Sequence, residues 1–231
     1  MTIRQHIQLL RSQLFEMSRL SQRAVDYSIK AFELRSKDFC DHVHDYKHEL
    51  GELHRNVVDR CCKLLVAGLP VESDLRFALS AFRISGALHT TYSAAAEIAH
   101  HTMNSLDEDR ISDSLALEEM GRIVNRLTRL CTIALFKEEV HHAKAVLKNN
   151  AVVRWFEMTV SHAHNRDREQ IDEQAAFELA ITKSFGQMAK QAHEMAGAIT
   201  LWLEGNDSAG FTHKHDLLSD CGMQLVEMEK Q

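Results

Sequence analysis

Apolar residues recur along this chain at alternating steps of three and four, and no strand-like alternation of any length competes. Between residues 3 and 34, Ile3, Ile7, Leu10, Leu14 and Met17 run down one side of a helix, and Val25, Ile29 and Phe32 continue on a shifted stripe. The next segment is cleaner: Phe39, Val43, Tyr46, Leu50, Leu53, Val57, Cys61 and Leu64 share one face, with charged and histidine side chains mostly opposite. Pro70 is the only proline in the chain. It lacks an N–H and clashes with the turn before it, so it ends the second helix near Gly68. It also fits the first turn of a following helix, where backbone donors are unpaired anyway.

That third helix is predicted from about residue 72 to 104, with Phe77, Ala81, Ile84, Leu88, Tyr92, Ala95 and Ala99 on one face. A polar connector, NSLDEDRISDS (104–114), separates it from a second series. Leu117, Met120, Val124, Leu127 and Cys131 mark a fourth helix. Ala143, Val146, Val153, Phe156, Val160 and Ala163 mark a fifth. After a short turn in which Asp167 and Gln170 have capping-box spacing, Met188, Ala192, Met195, Ile199 and Trp202 mark a sixth, which stops at Gly205. Three helices, a linker and three more imply an internal duplication. The expected fold is all-α: six long helices in two tandem antiparallel three-helix bundles, residues 1–105 and 112–206, with a tail over 207–231 whose Leu217, Leu218, Leu225, Val226 and Met228 suit a short extra helix. Helices of this length reach ~45 Å, so each bundle should be elongated. Thin bundles leave Trp155, Phe156 and Trp202 difficult to cover, and this favours a homodimer.

Composition narrows the function. Among 231 residues, 45% are hydrophobic and 26% charged, enough for both a core and a solvated surface. The net charge of −6 offers no basic face for nucleic acid or anionic lipid. The five cysteines, Cys40, Cys61, Cys62, Cys131 and Cys221, are odd in number and form no C-x-x-C, which points to a reducing cytoplasm. The N-terminal MTIRQHIQLLRSQLFEM carries charges and amides every few residues, unlike a signal peptide, and no stretch approaches a membrane span. No nucleotide loop, nucleophile elbow or H-E-x-x-H is present, so no catalytic or cofactor-binding residue is assigned.

The order of parts around the proline, CKLLVAGLPVESDLRFALSAFRISGAL, resembles the PhoU family of bacterial phosphate-uptake regulators. The resemblance rests on the proline corner followed by Asp74-Leu75-Arg76, and on the WLEGND exit of the last helix, and it covers about residues 5 to 205. It implies tandem three-helix bundles and a non-enzymatic adaptor that contacts a phosphate transporter or its coupled sensor kinase. Pro70, Asp74 and Arg76 are read as architectural: Asp74 favours the positive end of helix three and Arg76 reaches nearby carboxylates. A role in partner contacts is the alternative.

Family members usually hold metal clusters on paired carboxylates of helices two and three. Here the corresponding positions are Lys47, Gly51, His89 and Ser93 in the first bundle, and Asn150, Arg154, Gly186 and Lys190 in the second. None is acidic, so no metal ligand is carried over. The fifteen histidines offer another route to metal. His44 and His48 stand i,i+4 beside Asp41 and Asp45, a plausible first-row pair. The doublets His100-His101 and His141-His142, and the pair His162 and His164, diverge around an ideal helix. His89 and His193 sit among apolar neighbours as packing residues, and Cys61-Cys62 lies in a core seam. The second functional reading is accordingly a histidine-based metal-binding or storage bundle, and a third is a paralogue with changed partners.

Overall fold

The computed structural model describes residues 2–69, 71–106, 115–149, 155, 158 and 173–205. Among them every element is helical: α1 (Ile3–Leu34), α2 (Lys37–Asp45), α3 (Lys47–Ala67), α4 (Glu72–Asn104), α5 (Leu115–Lys137), α6 (Val140–Lys148) and α7 (Glu173–Glu204). α1, the α2–α3 pair and α4 form the first three-helix bundle, and α5, α6 and α7 build the second, as the periodicity predicts. Pro70, the connector from 107 to 114, Asn150, Val153, Arg154, Phe156, Val160, His162, Ala163, His164, Asp167, Gln170 and the tail from 206 lie outside the described residues. No helix among the described residues is long and apolar enough to cross a membrane.

Local chemistry explains the element ends. α1 starts at a capping box: the Gln5 N–H donates to Thr2 Oγ1 at 3.3 Å, and the Thr2 N–H donates to Gln5 Oε1 at 2.8 Å. The second predicted helix is in two pieces, because Tyr46, at φ −79° and ψ −8°, separates α2 from α3. The apolar stripe crosses this break, with Val43 and Leu50 both fully buried. Tyr27 of α1 seats it, stacking within 5.8 Å of Phe39 and 6.2 Å of Tyr46.

The duplication is visible in the backbone. Arg35 (φ 47°) and Glu138 (φ 56°) are the two non-glycine residues with positive φ among those described, one at each corner after the first helix of a bundle. The next residue makes the same bond in both halves: Ser36 N–H to Ala31 O, and Glu139 N–H to Ala134 O, each 3.2 Å. A left-handed non-glycine residue costs about 1–2 kcal/mol, and both side chains are employed. Arg35 donates to the carbonyls of Ser105 and Leu106 at the end of α4, and Glu138 pairs with Arg11.

The predicted stripes are buried where they are described, except that Ile3, Phe32, Phe39, Tyr46 and Leu53 are only partly buried against the core, and the stripes are half of the packing. α1 and α4 also bury small residues, Ser18, Ser21, Ala24 and Ser28 on the first and Ser80, Ala87, Thr91 and Ala94 on the second. Small side chains let helices approach closely. Ser21 Oγ, for instance, donates directly to the Leu88 carbonyl at 3.1 Å. Across the two bundles α1 packs on α5, through Ser18 to Thr132 at 3.2 Å and Arg129 to Asp26 at 3.0 Å. α4 packs on α7, the most extensive helix pair, flanked by Arg83–Glu194 and by Ser184 donating to Glu97 at 3.1 Å. The buried residues therefore form one cluster drawn from both bundles. Trp202 corrects an expectation. It is 7% exposed, covered by Phe77 of the other bundle at 4.9 Å, whereas Trp155 remains 45% exposed.

Candidate functional site

The helix-three corner is built from residues of both bundles. Gly68, at φ 73°, closes α3 in a conformation that suits glycine, and Glu72 and Asp74 lie in the first turn of α4, at its positive end. Arg76 pairs with Glu72. Its guanidinium also lies against Gly205, whose φ of 77° ends α7, so that a Cβ there would stand 3.6 Å from Arg76 Cζ. The arginine of Asp-Leu-Arg thus ties the start of α4 to the end of α7. Arg11 reinforces the same end, over the rings of Phe77 at 5.0 Å and Trp202 at 5.3 Å, while paired with Glu138.

From this corner the outer face of α4 runs through Leu75, Leu79 and Phe82, then Gly86, His89 and Ser93, all within about 40° of one line at 100° per residue. Leu75, Leu79 and Phe82 are 37%, 42% and 49% exposed. Further along, α3 covers the face: His89 stacks on His54 with ring centroids 4.8 Å apart. Ser93 Oγ is turned back onto the His89 carbonyl at 3.0 Å. No three ligand atoms converge on this face among the described residues. With Lys47 and Gly51 on α3, and Gly186 and Lys190 on α7, the residues present do not fit an iron or zinc cluster.

His54 Nδ1 is buried with no protein hydrogen-bond partner. Burial, with His89 and Arg55 adding to it, holds the His54 pKa below its usual 6.5. Burial also lowers His101 and His193. A histidine depressed in the folded state binds its proton more readily when unfolded. The stability it confers is therefore present above its unfolded pKa near 6.5 and is lost as pH falls through the lower folded value. Urea unfolding is expected to show a falling midpoint between about pH 7 and pH 5, with a shallower fall in His54→Gln. An unchanged midpoint across that window contradicts this reading.

The i,i+4 pair does not gather. His44 ends up on α2 and His48 on α3; His48 faces Glu52 at 3.8 Å, and His42 takes Asp45 at 3.7 Å. His100 and His101 have ring centroids 5.8 Å apart at 65°. The doublet His141-His142 departs from the expected divergence, with centroids 3.9 Å apart and Glu139 beside both rings. The sequence contains the signal, a glutamate two residues before two histidines at a helix start, but ideal helical angles hide it. Cys40, Cys61, Cys62 and Cys131 are free thiols. Burial pushes Cys61 and Cys131 up to about 12, which makes them core residues rather than nucleophiles.

Residues 14–102 match the family model of the PhoU domain. A relative from Aquifex aeolicus, named phosphate-specific transport system accessory protein PhoU homolog, is 20% identical over 143 residues, 62% of this chain and 65% of its own. The chain thus spans just under two thirds of that relative's length. Among solved structures, PhoU from Pseudomonas aeruginosa superposes with a TM-score of 0.79 at 16% identity, covering 89% of this chain and all of that one. The phosphate transport system regulatory protein PhoU from Streptococcus pneumoniae gives 0.73 at 15% identity, covering 89% and 98%. These two show the same fold. Residues 14–102 thus carry the similarity to the PhoU domain, and the chain has the fold of the solved PhoU structures.

Proposed function

We propose that this protein is a non-enzymatic regulator of phosphate uptake and phosphate-responsive signalling. It works in the cytoplasm, as a homodimer, through contacts with a phosphate transporter or its coupled sensor kinase. Residues 1–105 and 112–206 act as the two repeats, with 207–231 as a tail. The observation that carries the reading is the exposed apolar line Leu75, Leu79 and Phe82 beside the helix-three corner, on a scaffold shared with the phosphate transport system regulatory protein PhoU from Streptococcus pneumoniae. Such a line on a rigid helix suits an apolar groove of another protein, and binding one state of a transporter or kinase better than another biases its equilibrium. The acidic balance, −6, disfavours nucleic acid as the partner, and nothing in the reading requires insertion into a membrane.

Deletion in the native host is expected to raise phosphate uptake and phosphate-responsive transcription under phosphate excess, and Leu79→Asp combined with Phe82→Asp should reproduce the deletion. Unchanged uptake and transcription, in a host with no second family member, defeat the proposal and leave the changed-partner paralogue. Crosslinked capture with a differently tagged second copy reads the partner and the self-association together.

A further inference from the structure

We propose that Glu139, His141 and His142 form a binding site for one first-row divalent cation at the corner between α5 and α6, independent of the phosphate reading. Two consecutive histidines on an ideal helix point about 100° apart, too far to share an ion. At this corner they do not behave so. Glu139 is the residue before the helix, extended at φ −108° and ψ 107°, and the histidines are the second and third residues of α6. From there the rings tilt together at 41° with centroids 3.9 Å apart. Glu139 Oε2 lies 3.3 Å from His142 Nε2 and 3.8 Å from His141 Nε2. All three ligand atoms lie within 4.8 Å of one another, the one such set of histidine, cysteine or carboxylate donors among the described residues. Donors around a tetrahedral zinc, each at 2.0–2.2 Å, stand roughly 3.4 Å apart. Closing the set therefore takes rotamer adjustment of about an ångström and no backbone motion.

The backbone beneath the ligands is held in place. Glu138 turns the corner in the left-handed region, Glu139 N–H is bonded to Ala134 O at 3.2 Å, and Arg11 clamps the Glu138 side chain. One histidine is half-buried and one is open, with side-chain exposures of 23% for His142 and 68% for His141. An ion seated here would keep one face towards solvent. Two imidazoles and one carboxylate suit borderline cations such as zinc, nickel and copper(II), and reject magnesium and calcium, which need oxygen donors. A helix N-terminus disfavours a cation, and the Glu139 charge offsets this. The corresponding corner of the first bundle is Arg35-Ser36-Lys37-Asp38, without histidine, so the two repeats are predicted to differ here.

The test is zinc titration of untagged full-length protein by calorimetry, with magnesium as control. One zinc per chain is expected. His141→Ala with His142→Ala should weaken it at least about tenfold, and Glu139→Gln should weaken it less. Cobalt(II) in place of zinc should give the visible absorption of a nitrogen- and oxygen-ligated ion, lost in the double variant. His44→Ala with His48→Ala serves as comparison and should leave the affinity unchanged. Zinc binding that survives in the double variant, or no stoichiometric zinc in the parent, overturns the site. Far-UV circular dichroism of each variant shows whether the fold persists; should the double variant unfold, His142→Gln alone decides, and retained full affinity there overturns the site as well.

Discussion

Phe185→Ala is expected to destabilise the protein by about 3–5 kcal/mol. Phe185 is fully buried on α7, edge-on to Phe32 of α1 at 6.5 Å, and it faces α5 at Gly121, where an added Cβ would stand 3.2 Å from its Cζ. Truncation removes the ring from a place where three helices, drawn from both bundles, converge. None of them can close the void without leaving its other partners. For a chain of this size each kcal/mol moves Tm by about 2–4 °C, so the transition should fall by roughly 6–20 °C. Urea and thermal unfolding followed by circular dichroism measure it. A loss below about 1 kcal/mol would mean that the junction collapses freely and that the halves are not held by a common core.

Gly121→Val attacks the same place from the other side. A Cβ on Gly121 would meet Phe185 Cζ at 3.2 Å and Ile29 Cγ2 at 3.5 Å, and neither neighbour is the loose end of a flexible chain. Alanine gains about 1 kcal/mol of helix propensity over glycine and so offsets part of its own clash. Valine adds two methyl groups and a stiff χ1, and is expected to cost about 1–3 kcal/mol. The second change Phe185→Leu frees space beside residue 121, so the double variant should be more stable than the sum of the single effects predicts. A coupling of about 0.5–3 kcal/mol is the range for side chains in contact. Strict additivity would show that the close approach of α5 to α7 is not the cause.

The sequence shows some of this packing openly and conceals the rest. The large residues Leu10, Leu14, Met17, Val57, Ile84, Leu88 and Val124 announce their faces because only burial explains them at that spacing. Ser18, Ser80, Ala87 and Ala94 are also buried yet pass unnoticed, because a small side chain carries too little apolar area to mark a face by its spacing. The packing between bundles was therefore invisible, and with it the cover over Trp202. The interruption at Tyr46 is hidden for a different reason. A change in one ψ angle separates α2 from α3, and the apolar stripe crosses it without a gap. The absence of acids at Lys47, Gly51, His89 and Ser93 was legible position by position. The convergence of His141 and His142 was not, because it depends on side-chain rotation in a first turn rather than on spacing.

The pairing of helices across the two bundles has a consequence for how such a chain could have arisen. α1 and α5 are the first helices of their repeats, and α4 and α7 are the last; across the join each packs chiefly on its own counterpart, antiparallel. A surface that meets its own equivalent in reversed direction is isologous, the geometry of a two-fold symmetric pair. The join between repeats is thus the interface that a single ancestral bundle would have made with a second copy of itself. Fusion of two such copies would turn a concentration-dependent association into a permanent one and release each half from identity with the other. Gly121 and Phe185 could then diverge into an asymmetric fit, and one corner could keep Arg35 while the other acquired Glu139, His141 and His142.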